Sequence, residues 1–213
     1  MKKDKLPKTI PVFPLSNFII FPNIKVPLNI FEQRYIKMID ECMKGNRIIG
    51  MIQPKKNDQL KKPDLYNVGC AGKIISFNET KDNRYLIILN GICRFRVINE
   101  ISNSKIYREC NVKFDEYIDD LNTKTEDIKF SDINLIYNNL EQLFKKEGFI
   151  LNLKEMGKKN LDQTINSLSM ASPFSLEEKQ VLLETKNLKL RKEKLEEIIK
   201  TYVLDNFSNN TLQ

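Results

Sequence analysis

Residues 11–35 read PVFPLSNFIIFPNIKVPLNIFEQRY, and this stretch decides what kind of fold the chain adopts. Short apolar runs, TIPVF (9–13), NFIIF (17–21) and IKVPL (24–28), are punctuated by Pro14, Pro22 and Pro27. Such runs predict strands, and because proline cannot donate to a central ladder they belong at the edges or in irregular parts of a curved sheet. At Phe31 the period changes. Phe31, Tyr35, Met38, Ile39 and Cys42 recur at helical spacing with Gly45 just beyond, which predicts one helix over 31–44 capping the sheet.

Downstream the strand signals continue, at 47–53, 72–77, 84–89, 92–98 and 109–114. In two of them the period of two is clean: Cys93, Phe95 and Val97 share one face with Arg94 and Arg96 on the other, and Cys110, Val112 and Phe114 alternate with polar residues. Asn83 and the Asn90-Gly91 pair favour turns, so the 84–98 stretch either folds back at Gly91 or bulges there.

After the polar stretch 116–130 the pattern turns helical. Ile133, Ile136, Tyr137, Leu140, Leu143 and Phe144 form a stripe behind a capping Ser131, and Leu195, Ile198, Ile199, Tyr202 and Val203 form another. Asn160 with Gln163, and Ser175 with Glu178, have capping-box spacing. The expected class is α+β: a β-rich barrel-like subdomain over 1–117 with its capping helix, a helical subdomain over 118–207, and a tail over 208–213.

Composition narrows the chemistry. The 213 residues contain no histidine and four widely spaced cysteines, Cys42, Cys70, Cys93 and Cys110, which read as buried thiols rather than metal ligands or disulfides. No metal site, cofactor or catalytic residue is expected. There is no G-x-x-x-x-G-K-[ST] loop, no serine in a glycine-rich elbow, and no signal peptide or membrane-length apolar run, so a cytoplasmic, membrane-free, non-enzymatic chain is expected. Residues 1–115 carry 21 Lys and Arg against 11 Asp and Glu, a balance of +10; residues 116–213 carry 14 against 17, a balance of −3. A basic half fits either a lysine-rich solvated surface or a nucleic-acid partner.

Glu32, Arg34, Arg94 and Arg96 form a charged group beside apolar strands. Alternation puts Arg94 and Arg96 on the solvent side, and the favoured reading is a salt bridge between the helix start and the strand. The functional alternative is a polar anchor for a bound peptide, which arginine grips with two parallel hydrogen bonds.

The 11–35 stretch resembles the opening of the LON amino-terminal domain in its Pro-Leu pair (Pro14, Leu15), Phe-Pro turn, second Pro-Leu pair (Pro27, Leu28) and Phe-Glu-x-Arg-Tyr motif (Phe31, Glu32, Arg34, Tyr35). The resemblance continues through IIGMIQP (48–54), DLYNVGCAGKI (64–74) with Gly69 and Gly72, LNGICRFRV (89–97) with Gly91 and Phe95, and SLSMASPFSLEEKQVLLE (167–184). It implies a PUA-like pseudo-barrel followed by a helical bundle, the part of ATP-dependent Lon proteases that helps recognise substrates, standing here without ATPase or protease domains. The expected partners are exposed or unfolded protein segments, met by Phe18, Phe21, Pro22, Asn23 and Ile24 with Arg94 and Arg96. Core packing is the competing role for the phenylalanines. RNA binding by a PUA-like barrel is the rival reading, with Tyr35, Tyr66, Tyr85 and Tyr107 as the aromatics available for stacking.

Overall fold

Alternating runs separated by turns close into a sheet when one strand is long enough to serve two neighbours, and here the strand Tyr85–Glu100 does so. The computed structural model describes residues 6–56, 62–122, 136, 141 and 161–210, with side chains described to 203. The chain divides into two compact units, Met1–Thr123 and Lys124–Gln213.

In the first unit, β1 (Thr9–Pro14), β2 (Lys25–Ile30), β3 (Ile48–Ile52), β4 (Val68–Glu79), β5 (Tyr85–Glu100) and β6 (Arg108–Lys113) form one sheet in the order β2-β5-β4-β3-β1-β6. β6 pairs back onto β5, which closes five strands into a ring and leaves β2 outside it. The β1–β3 pair is parallel and the others are antiparallel. Sixteen residues make β5 roughly 50 Å long. Its first half pairs with β2 as far as Asn90, and its second half pairs with β6 from Arg96 onward.

The two outcomes open at Gly91 resolve to a bulge: β5 runs straight through, with Ala71 opposite Cys93 and Gly72 opposite Gly91. A second register shift, between Ile74 and Ser76, leaves Ile75 unpaired in β4. NFIIF, expected as a strand, is instead an irregular segment between β1 and β2. Its apolar residues report burial and not ladder pairing. Ile19, Ile20 and Phe21 are buried, while Asn17 (φ 56°) and Asn23 (φ 62°) turn the backbone through the left-handed region on either side.

Helix α1 (Gln33–Met43) buries Tyr35, Met38, Ile39 and Cys42, the stripe expected of it, and the Tyr35 ring lies 4.2 Å from that of Phe13 in β1. Phe31 does not share this stripe. It precedes the helix, whose N-cap is Glu32, and is 62% exposed. Inside the ring Phe95 is fully buried, 6.3 Å from Phe114, and a methyl group at Gly50 or Gly69 would press on its ring at 2.9 or 2.6 Å. Those glycines make room for the central aromatic side chain. All four thiols are free and buried, and burial pushes Cys42 and Cys110 up to about 11 and Cys93 to about 12, which favours the neutral thiol.

The second unit contains α2 (Leu161–Ala171), α3 (Leu176–Glu184) and α4 (Leu188–Asn210). Ile136, Ile165, Leu168, Phe174, Leu176, Leu182, Leu183, Leu195, Ile198 and Ile199 are its buried apolar residues among those described. The Ser131 cap, the Asn160 cap and most of the 133–144 stripe lie outside the described residues; Ile136, from that stripe, is helical and buried. The Ser175 capping box is complete: the Glu178 N–H donates to Ser175 Oγ at 3.2 Å, and the Ser175 N–H donates to Glu178 Oε2 at 2.7 Å. Ser175→Ala is expected to cost about 1 kcal/mol in urea unfolding. An unchanged midpoint would show the box to be dispensable. Among the described residues no helix is long and apolar enough to cross a membrane.

Candidate functional site

Any edge of a closing sheet must satisfy its backbone groups, and this requirement positions the residues of interest. Between Asn90, the last residue paired with β2, and Arg96, the first paired with β6, β5 has an edge without a strand partner. Two irregular segments fill it. At Gly91 the loop after Phe21 docks: the Asn23 N–H donates to the Gly91 carbonyl and the Gly91 N–H donates to the Ile24 carbonyl, both at 2.9 Å. At Arg94 a 3-10 segment (Asp115–Leu121), kinked at Tyr117, crosses over, and Asp120 Oδ2 accepts from the Arg94 backbone N–H at 2.9 Å.

The same Asp120 receives the Arg94 guanidinium in a two-pronged grip, at 2.9 and 2.8 Å, and the guanidinium lies 4.3 Å from the Tyr117 ring centre. Arg94 is 2% exposed, so the expectation that it faces solvent is corrected. Alternation along β5 assigns a face but not what covers that face. Arg96 pairs with Glu116, from the same 3-10 segment, at 2.6 and 2.8 Å, and this partner holds the Glu116 carboxyl below its usual range. Glu32 pairs with Arg34, two residues away, and not with the strand arginines. The expected salt bridge between the helix start and the strand is therefore not formed; Arg94 and Arg96 pair instead with Asp120 and Glu116, in a segment the sequence presented as a polar connection.

Of the loop residues, Phe21 and Pro22 are buried, which corrects their assignment as surface contacts. Phe18 and Ile24 are half-buried, and Asn23 is exposed. Among the tyrosines offered for base stacking, Tyr35, Tyr85 and Tyr107 are buried; the Tyr85 hydroxyl donates to Asp40 at 2.8 Å and that of Tyr107 to Glu41. A cleft of about 400 Å³ between α1 and the β5–β6 connection holds Lys37, Asp40, Glu41 and Lys105; Glu41 pairs with Lys37 and Lys105, and Lys105 reaches Glu109 as well. Among the described residues no group of His, Cys, Asp and Glu is arranged to hold a metal ion.

Exposed apolar side chains include Phe31, Ile98 and Ile106, and a further group stands together on paired strands. The first half of β5, flanked by β2 and the end of β4, forms a three-stranded arm. Tyr85, Ile87 and Leu89 are buried on one face with Val26, Ile30 and Ile74. Directly opposed residues project to the same side, so the other face carries three cross-strand rows: Lys25–Asn90–Lys73, Pro27–Ile88–Ser76 and Asn29–Leu86–Asn78. Leu86 is 44% exposed, Ile88 37%, and the bulged Ile75 49%. Sequence reading passed over these positions. Their signal was the unbroken run YLIIL (85–89), which lacks the polar alternation of a strand with one wet face.

A closed mixed sheet, an apolar-faced arm and a following set of helices place the chain in a class, and comparison with known sequences identifies it. The model described as ATP-dependent protease La (LON) substrate-binding domain matches residues 9–201, and the chain belongs to that family. It is 30% identical over 202 residues to the Lon protease of Desulfosudis oleivorans and 26% identical over 200 residues to that of Flavobacterium johnsoniae. Each match covers 90% of this chain and 24% of the relative, so the chain spans about a quarter of their length. Among solved structures, a Lon N-terminal domain protein from Xanthomonas campestris has the same fold, with a TM-score of 0.62 at 20% identity, covering 88% of this chain and 96% of the other. The N-terminal domain of a Mycobacterium avium complex Lon protease matches with a TM-score of 0.59 at 15% identity, covering 91% and 98%.

Proposed function

We propose that this chain is a protein-recognition module that holds exposed, extended apolar segments of other proteins on the outer face of the β2–β5–β4 arm and performs no chemistry of its own. The observation that carries the reading is the partial exposure of Leu86 and Ile88 side by side on the paired strand β5, where apolar side chains held by a sheet meet solvent without the cost of ordering a loop. The first unit then serves as a PUA-like pseudo-barrel and the helices of the second as a bundle, with the module acting as an adaptor in protein quality control. Binding is to the face and not by strand addition. Pro27 sits in the middle of the outer strand β2, and a proline tolerated there removes a donor from its free edge.

The test is a Leu86→Asp/Ile88→Asp double variant titrated with a fluorescent, permanently unfolded protein such as carboxymethylated lactalbumin. Binding at least tenfold weaker than wild type is expected, with a melting temperature within a few degrees, since both side chains already touch water. Undiminished binding by a folded variant would overturn the assignment of the face.

A further inference from the structure

The arm carries a charge pattern that the recognition reading does not require. The row at one end of the outer face is Lys25–Asn90–Lys73, both lysines are exposed, and neither is ion-paired with a described residue. No Asp or Glu occupies any of the three outward rows. With strands about 4.8 Å apart, the two lysine backbones stand roughly 10 Å from each other. The rows follow at the two-residue repeat of a strand, so the Ile88 row lies roughly 7 Å from the lysines and the Leu86 row roughly 14 Å from them. An extended segment laid along β5 has the same repeat, and its alternate side chains meet successive rows.

We propose that the face selects segments in which two apolar side chains at alternate positions are followed, two residues on, by an acidic side chain, whose carboxylate is held between Lys25 and Lys73. The inference rests on the recognition reading and adds its specificity. Two ammonium groups facing each other across Asn90, with the Ile88 side chain in the next row, favour a carboxylate over its neutral amide. Asn90 between them supplies a neutral polar contact without competing charge.

The experiment uses the full chain and three short synthetic peptides with blocked ends, each alternating leucine and threonine and ending in a facing aspartate, asparagine or lysine. Fluorescence anisotropy at low salt is expected to show about tenfold tighter binding of the aspartate peptide than of the asparagine peptide, a preference that fades at high ionic strength. Lys25→Met/Lys73→Met is expected to equalise the two, and Lys25→Glu/Lys73→Glu to favour the lysine peptide, with circular dichroism melts unchanged because both lysines are at the surface. Equal affinity of wild type for the aspartate and asparagine peptides would overturn the charge selection. If the Leu86→Asp/Ile88→Asp variant loses both peptides in that case, the recognition face stands without its selectivity. If no peptide binds wild type, or the apolar variant binds as well as wild type, the recognition reading itself fails.

Discussion

Asp120→Ala is expected to destabilise the first unit by about 3–5 kcal/mol, seen as a fall of roughly 10 °C or more in its melting temperature. The replacement removes the carboxylate that grips a guanidinium 2% exposed and that also accepts from the Arg94 backbone N–H. Breaking one side of a buried pair costs more than the pair contributes, because the remaining charge is held out of water. Arg94→Met with Asp120→Leu is therefore expected to recover much of the loss, although the backbone N–H does not regain the Asp120 carboxylate. Arg94→Ala separates structure from binding: a lower melting temperature marks the clamp as structural, whereas lost binding at an unchanged melting temperature would return Arg94 to the recognition site.

Gly91→Ala is expected to cost about 2–4 kcal/mol and to weaken peptide binding with it. The obstacle is space. A methyl group there would overlap the Phe21 carbonyl, which is backbone and cannot rotate aside, so the loop must lift and give up both hydrogen bonds between Gly91 and the Asn23–Ile24 pair. That loop leads directly into β2, one side of the proposed face. Gly45→Ala is the control, since its methyl would meet only the Cys42 carbonyl, at an ordinary 3.7 Å. Thermal melts of the two variants with anisotropy on the same peptides decide the matter. A Gly91→Ala protein melting within a degree or two of wild type would show that the loop is not seated on β5.

How much of this was legible depends on which interactions are local. The α1 stripe, the Ser175 capping box and the alternation of Cys110, Val112 and Phe114 follow from period and spacing, and each recurs in the structure because the forces behind it act within a few residues. NFIIF shows where period stops helping: burial selects apolar residues whether or not the backbone joins a ladder. Phe31 shows the converse, an apolar residue at helical spacing that the helix does not include. Arg94 was read as wet because nothing nearby in the sequence indicates that residues 115–121 return to cover it.

By itself the sequence determined the class: a strand-rich first part, a helical second part, a run of motif residues that matches the LON substrate-binding family, and no histidine for acid–base or metal chemistry. Tertiary structure decided where the surface is. Phe21 and Pro22 went inside, while Leu86 and Ile88, in a run apolar enough to be core on both faces, were left 44% and 37% exposed on the outer side of the arm. Burial depends on what packs against a face, and that is fixed by contacts between residues far apart in the chain.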